Sequence, residues 1–175
     1  ETLSQVLYGF KTSTNLLNET VEDLIKILII KDKQQVVQED IQFETIFQKI
    51  FIQTKNLIKE SNPILEYNFQ QAPFVFFNPV YLESILLNLF TNAVKYRSPT
   101  RRLEIKILSK KIKNELLLEF EDNGIGINLN RHKDRIFGLY QRFHNHPDSK
   151  GLGLFLVKSQ LEALGAKIEI ESKVD

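Results

Sequence analysis

The amino-acid sequence predicts an α+β domain, a two-layer sandwich with one mixed sheet under a layer of helices, entered from a long N-terminal helix. Three observations predict it. Apolar residues at Leu3, Leu7, Phe10, Leu17, Val21, Leu24 and Leu28, with Thr14 in the same series, recur in alternating steps of four and three, the seam of a long helix. Past the polar run 31–39, short alternating segments are interleaved with helical patterns, as expected for a sheet with a helical layer. Asn78-Pro79 then opens, and Ser98-Pro99 closes, one sharply bounded helix between the strands, because Asn caps and Pro at the first helical position has no N–H to lose.

Taken in order, the first helix of about 30 residues at roughly 1.5 Å each would run about 45 Å. It is too exposed to stand alone, so its seam is expected to face partner helices. Gly9 weakens it without ending it. A short extended segment near Ile41 precedes a helical pattern at Ile46, Phe47, Ile50, Leu57 and Ile58, stopped by Asn62-Pro63. Leu65, Tyr67 and Phe69 alternate as one face of a strand, and 74–77 is another. The helix from Asn78 ends near Tyr96. Two β-rich runs, 103–108 and 115–121, flank a polar turn. After a glycine-containing loop comes a helix over about 152–164, capped by Gly165. A last strand is expected over 167–172, with Ile168 and Ile170 on one face.

Composition narrows the function. The 175 residues are 42% hydrophobic and 26% charged, with a net charge of +1, the balance of an ordinary domain with enough length for a core. Basic residues are scattered, which gives no footprint for nucleic acid. The absence of cysteine excludes disulfides and thiolate metal sites and fits a reducing, cytoplasmic setting. No apolar run is long enough to span a bilayer. The chain also lacks methionine, so it reads as an excerpt of a longer protein.

Two glycine loops invite nucleotide readings. Gly124 and Gly126 in D-N-G-I-G-I lack the third glycine of a dinucleotide fingerprint, and neither loop is a P-loop. The helix before them is more informative. Asn88, Asn92, Lys95 and Tyr96 share one face, while Leu82, Ile85, Leu86, Leu89 and Ala93 form a separate apolar stripe. A core stripe beside a stripe of two amides, an ammonium and a phenol places a site next to the helix. Any one of these polar residues alone would more often be solvated surface.

Together these segments resemble the ATP-binding catalytic domain of sensor histidine kinases of two-component systems, members of the GHKL superfamily with the Bergerat fold. N-L-F-T-N-A-V-K-Y at 88–96 is similar to the N box, 122–127 to the first glycine box, 136–142 to the F box, and K-G-L-G-L at 150–154 to the second glycine box. The boxes occur in the family's order. The resemblance implies a catalytic domain over 37–175 and, over 1–36, the second helix of a dimerisation and histidine-phosphotransfer domain. It also implies a homodimer through the helix seam, a response regulator receiver domain as partner, and ATP with Mg²⁺ as cofactors.

Site roles follow from the resemblance and suit the chemistry. Asn92 is implied as a ligand of Mg²⁺ with Asn88 beside it, since that ion takes few protein oxygens and the rest from phosphate and water. Lys95 would face the polyphosphate and Tyr96 the nucleotide. Asp122, an acceptor-only carboxylate, suits the amino group of adenine. Gly124 and Gly126, with Ile127, would let the backbone approach the ring. Lys150, Gly151, Leu152 and Gly153 open a helix whose free N–H groups attract phosphate. Arg142 follows the F box where the family carries a basic residue directed at the γ-phosphate. His144 and His146 have no third ligand and are expected in a solvated, shortened ATP lid, with His132 also on the surface. None of the three has the context of the phosphoacceptor histidine, which is expected outside this sequence.

The sequence departs from the family in two places. Ser149 stands where a glycine usually begins the second glycine box, and the final strand of the fold is expected to be missing after Asp175. The hydrolase branch, with DNA gyrase and MutL, carries a glutamate where Asn88 stands, and an amide cannot accept a proton to activate water. A non-catalytic scaffold is the other alternative, and it has no need for the set Asn92, Asp122, Gly126 and Gly153.

Overall fold

A computed structural model describes residues 2–31, 36–143 and 150–174. It divides into two compact units, 1–34 and 35–175. The first is α1 (Leu3–Lys31). Leu3, Leu7, Phe10, Leu17 and Val21 are exposed along it, so one side of the described helix carries uncovered apolar surface.

The second unit runs β1 (Glu39–Gln42), α2 (Phe43–Gln53), α3 (Lys55–Ser61), β2 (Ile64–Asn68), β3 (Phe74–Phe77), α4 (Pro79–Lys95), β4 (Glu104–Ile112), β5 (Glu115–Asp122), α5 (Leu129–His132) and α6 (Gly153–Ala163). Its sheet is mixed. β4 is central, parallel to β2 and antiparallel to β5. β1 and β3 form a separate antiparallel ribbon, Glu39 opposite Phe77 and Gln42 opposite Phe74. Side-chain alternation identifies strands but not their partners, which is why a single sheet was the expectation.

Two further expectations change. The helical pattern over 46–58 is two helices, because Thr54 leaves the helical conformation at φ −96°, ψ 9° while its hydroxyl donates to the Ile50 carbonyl at 2.8 Å. Residues 167–172 are not a strand. Ile168 and Ile170 are half-buried between exposed Lys167, Glu169 and Glu171, so the alternation is real, but no strand ladder is formed there. Pattern reports faces, whereas a strand also needs aligned backbone partners.

The core is built from one stripe per element. Ile105 and Ile107 point inward from β4, and Leu82, Ile85, Leu86, Phe90 and Ala93 of α4 are all buried. α2 adds Phe43, Ile46, Phe47 and Ile50. Phe43 stacks on Phe69 with ring centroids 5.4 Å apart, and Phe47 meets Tyr67 at 4.3 Å. α4 begins as expected: the Asn78 side chain accepts from the Tyr81 N–H at 2.9 Å, with Pro79 first in the helix.

α2 is also tied to α4 by charge. Lys49 and Gln53 both donate to the Glu83 carboxylate, Gln53 at 2.6 Å. Burial by itself raises the Glu83 carboxyl, but the bonds from Lys49 and Gln53 and the Lys49 charge outweigh it and hold it below the ordinary value. A carboxylate depressed on folding contributes stability above its unfolded value, and that contribution is lost as pH falls through the folded value. Urea unfolding across the acid range below the usual glutamate value should therefore show a smaller loss of stability for Glu83→Gln than for the unmodified chain. Identical acid slopes would show that the link between α2 and α4 contributes nothing.

Candidate nucleotide site

The site is built along α4. Asn88 donates through its side-chain nitrogen to the Ser84 carbonyl at 2.8 Å, which leaves its Oδ1 as the end that can face outward. That oxygen points at the start of α6. A Cβ on Gly153 would lie 3.1 Å from Asn88 Oδ1 and 3.4 Å from the Asn92 side-chain nitrogen. A side chain at 153 would therefore press chiefly on Asn88, and both amides abut the first turn of α6.

Asn78 and Asn128 cap α4 and α5 with their side chains, whereas Leu152 before α6, like Gln42 before α2 and Thr54 before α3, makes no side-chain cap. The Leu152 side chain is buried, so only its backbone is available to a ligand. Gly151, at φ +72°, lies against the Gln141 backbone. That contact brings the end of the F-box segment to the α6 entrance. Arg142 is exposed and next in the chain to Gln141.

The opposite end of the site gathers at the C-terminus of α4. The Tyr96 N–H donates to the Asn92 carbonyl at 2.9 Å, and the Tyr96 carbonyl accepts from the Ile125 N–H at 3.0 Å. Asp122 ends β5 and accepts from the Gly124 N–H at 2.8 Å. A Cβ on Gly124 would lie 2.7 Å from both Asp122 Oδ1 and the Tyr96 carbonyl oxygen. Gly126, at φ +67°, abuts the Lys173 carbonyl. Both glycines are thus required by the chain's own packing. The Ile127 N–H is taken up by the Ser172 hydroxyl at 2.8 Å.

Lys95 is half-buried, its ammonium 5.9 Å from the Tyr96 ring centroid. It also lines, with Leu57, Glu60, Thr91 and Arg97, a cavity of about 290 Å³ between α3 and the end of α4. Asn88, Asn92 and Gly153 do not line it. Lys150 is half-buried at the α6 entrance. Among the described residues no group of three His, Cys, Asp or Glu side chains could hold a metal. His132 is half-buried, its ring 4.8 Å from that of Phe143. His144, His146 and Ser149 lie outside the described residues.

Sequence reasoning missed two residues here. Arg101 donates from Nε to the Asn123 carbonyl at 2.7 Å and from Nη2 to the Gly124 carbonyl at 2.6 Å. Asn123 ties β5 to β4, accepting from the Glu104 N–H at 2.9 Å and donating to the Arg102 carbonyl at 3.0 Å. Asn123 was visible inside D-N-G-I-G. Nothing in the spacing marks Arg101, which is 22 and 23 residues from the carbonyls it holds.

From Asn88 to Tyr96 is eight residues, roughly 12 Å of helix, so α4 presents two amides beside a helix start at one end and an acidic glycine loop at the other. The model of the histidine kinase-, DNA gyrase B-, and HSP90-like ATPases matches residues 77–175, the stretch that contains both ends. The chain belongs to this ATPase family. Within the family its similarity is to histidine kinases. It is 30% identical over 166 residues to the histidine protein kinase SaeS of Staphylococcus aureus, an alignment covering 92% of this chain and 47% of SaeS. The chain thus spans about half the length of the curated relatives it matches. Full-length ShkA in complex with AMPPNP shares the fold at a TM-score of 0.73 and 20% identity, over 94% of this chain and 35% of ShkA. The histidine kinase ThkA in complex with the response regulator protein TrrA does so at 0.62 and 15%, over 81% and 42%. Among the described residues no helix is long and apolar enough to cross a membrane.

Proposed function

We propose that this chain is the ATP-binding catalytic domain of a sensor histidine kinase. It holds Mg-ATP and passes the γ-phosphoryl group to a histidine outside residues 1–175, for relay to a response regulator aspartate. The observation that carries the reading is the convergence of Asn88 and Asn92 on Gly153. Amide oxygens and uncapped helix N–H groups meet there, an arrangement suited to a polyphosphate and a hard cation together.

Mg²⁺ fits this donor set. With Asn88 Nδ2 committed to Ser84, amide oxygen can be offered by Asn88 and Asn92, and an ion that keeps waters and phosphate oxygens needs no carboxylate cluster. When bound, it neutralises charge on the phosphates. The chain's own groups do the remaining work. The first turn of α6 takes phosphate oxygens, Lys95 and Arg142 add positive charge, and Asp122, through the oxygen not bonded to Gly124, accepts from the adenine amino group. Holding the donor in line is the main requirement of phosphoryl transfer.

Calorimetric titration tests the reading. The chain should bind ATP more tightly with Mg²⁺ than without, and Asp122→Asn should weaken binding by roughly 1–3 kcal/mol, the cost of an unmatched polar contact. No binding at millimolar ATP would overturn it. Kinase is preferred to hydrolase because Asn88 offers an amide where water activation needs a base. Multiple-turnover phosphate release should accordingly be slow, and brisk release would favour the hydrolase branch.

A second reading concerns assembly. The exposed apolar positions of α1 suit a homodimer formed through residues 1–36, the part we assign to a dimerisation and histidine-phosphotransfer domain, leaving 37–175 as the catalytic domain. The ThkA–TrrA complex supports a receiver domain as the further partner. Sedimentation should show self-association that Leu17→Asp abolishes while nucleotide binding persists. A chain that stays monomeric at high micromolar concentration contradicts it.

A further inference from the structure

The glycine loop at the Asp122 end is held by a residue far from it in sequence. Arg101 lies between α4 and β4, and its Nε and Nη2 face the carbonyls of Asn123 and Gly124 at 2.7 and 2.6 Å. These two nitrogens form one edge of the planar guanidinium, a rigid fork that reads two acceptors at a fixed spacing. The Gly124 peptide unit is then bonded on both sides. Its N–H goes to Asp122 Oδ1 and its carbonyl to Arg101, while the next N–H, of Ile125, goes to Tyr96. Because the Asp122 carboxylate is bonded to Gly124, a displacement of Gly124 carries the carboxylate with it.

We infer that Arg101 is a positioning residue for base recognition: its fork on the Asn123 and Gly124 carbonyls sets the Asp122 carboxylate for the adenine amino group. The inference rests on the proposed role of Asp122. Fold stability is not what the fork serves. Arg101 and Asp122 are exposed, so water can replace the fork when it is lost, and the loop stays attached through Asn123. What the fork removes is freedom of the loop. A lysine in its place supplies a point charge but no second fixed donor.

Three measurements on the full chain decide it. In calorimetric titrations Arg101→Ala should weaken ATP and ADP by the same factor, about tenfold, on the order of one charged hydrogen bond. GTP binding should hardly change, so the preference for adenine narrows. Arg101→Lys should behave like Arg101→Ala. Without nucleotide, hydrogen exchange at the Gly124 and Ile125 amides should quicken while the thermal midpoint stays put. Loss of ATP binding with ADP unaffected would mean that Arg101 acts on the γ-phosphate, and recovery in Arg101→Lys would mean that charge alone matters. Either result overturns the inference, as does unchanged amide exchange. Failure of the unmodified chain to bind ATP is separable, because it removes the nucleotide site itself and with it any role in base recognition.

Discussion

Two helices bring their polar surfaces into close contact at this site, where residue 153 has no side chain. With a Cβ position 3.1 Å from Asn88 Oδ1, a larger residue there would require the amides to give by a few tenths of an ångström. The contact involves both helices over their length, for Gln160 of α6 donates to the Ser84 hydroxyl of α4 at 3.0 Å. Ser84 also accepts Asn88 through its carbonyl. One residue thus takes part in the packing of the two helices through its hydroxyl and in the orientation of a site amide through its carbonyl.

α4 performs two tasks because its stripes are separate. Leu82, Ile85, Leu86, Phe90 and Ala93 bury it in the core, and a buried Leu or Ile side chain contributes about 1.5–3 kcal/mol. That anchoring lets Asn88, Asn92 and Tyr96 remain half-buried without the fold depending on them. The N-cap at Asn78 fixes where the helix begins and hence the rotational phase of both stripes.

Much of this was legible because it is local. Heptad spacing, the Asn-Pro helix start, the double stripe on α4 and the glycine loops are all patterns within a few residues of one another. What escaped is relational. The ribbon of β1 and β3 could not be separated from the main sheet by alternation, and 167–172 alternates without a ladder. At Thr54 the backbone turns out of the helical conformation at a point that the apolar spacing does not mark. Arg101 carries no mark at all, since an arginine between two turns is ordinary until its acceptors are seen. For Gly124 and Gly126 the sequence suggested room for a ligand, while the contacts show how closely Tyr96 and Lys173 approach.

The Gln141 backbone lies against Gly151, so two residues ten apart in sequence stand side by side as the posts of one doorway. Joining fixed posts by a longer chain costs little, only about 0.6 kcal/mol for each doubling of its length. The number of residues between 141 and 151 can therefore change at small cost while the posts keep their places. The start of α6 and the amides of α4 are then set by the domain on either side of the doorway and not by the length of chain that spans it.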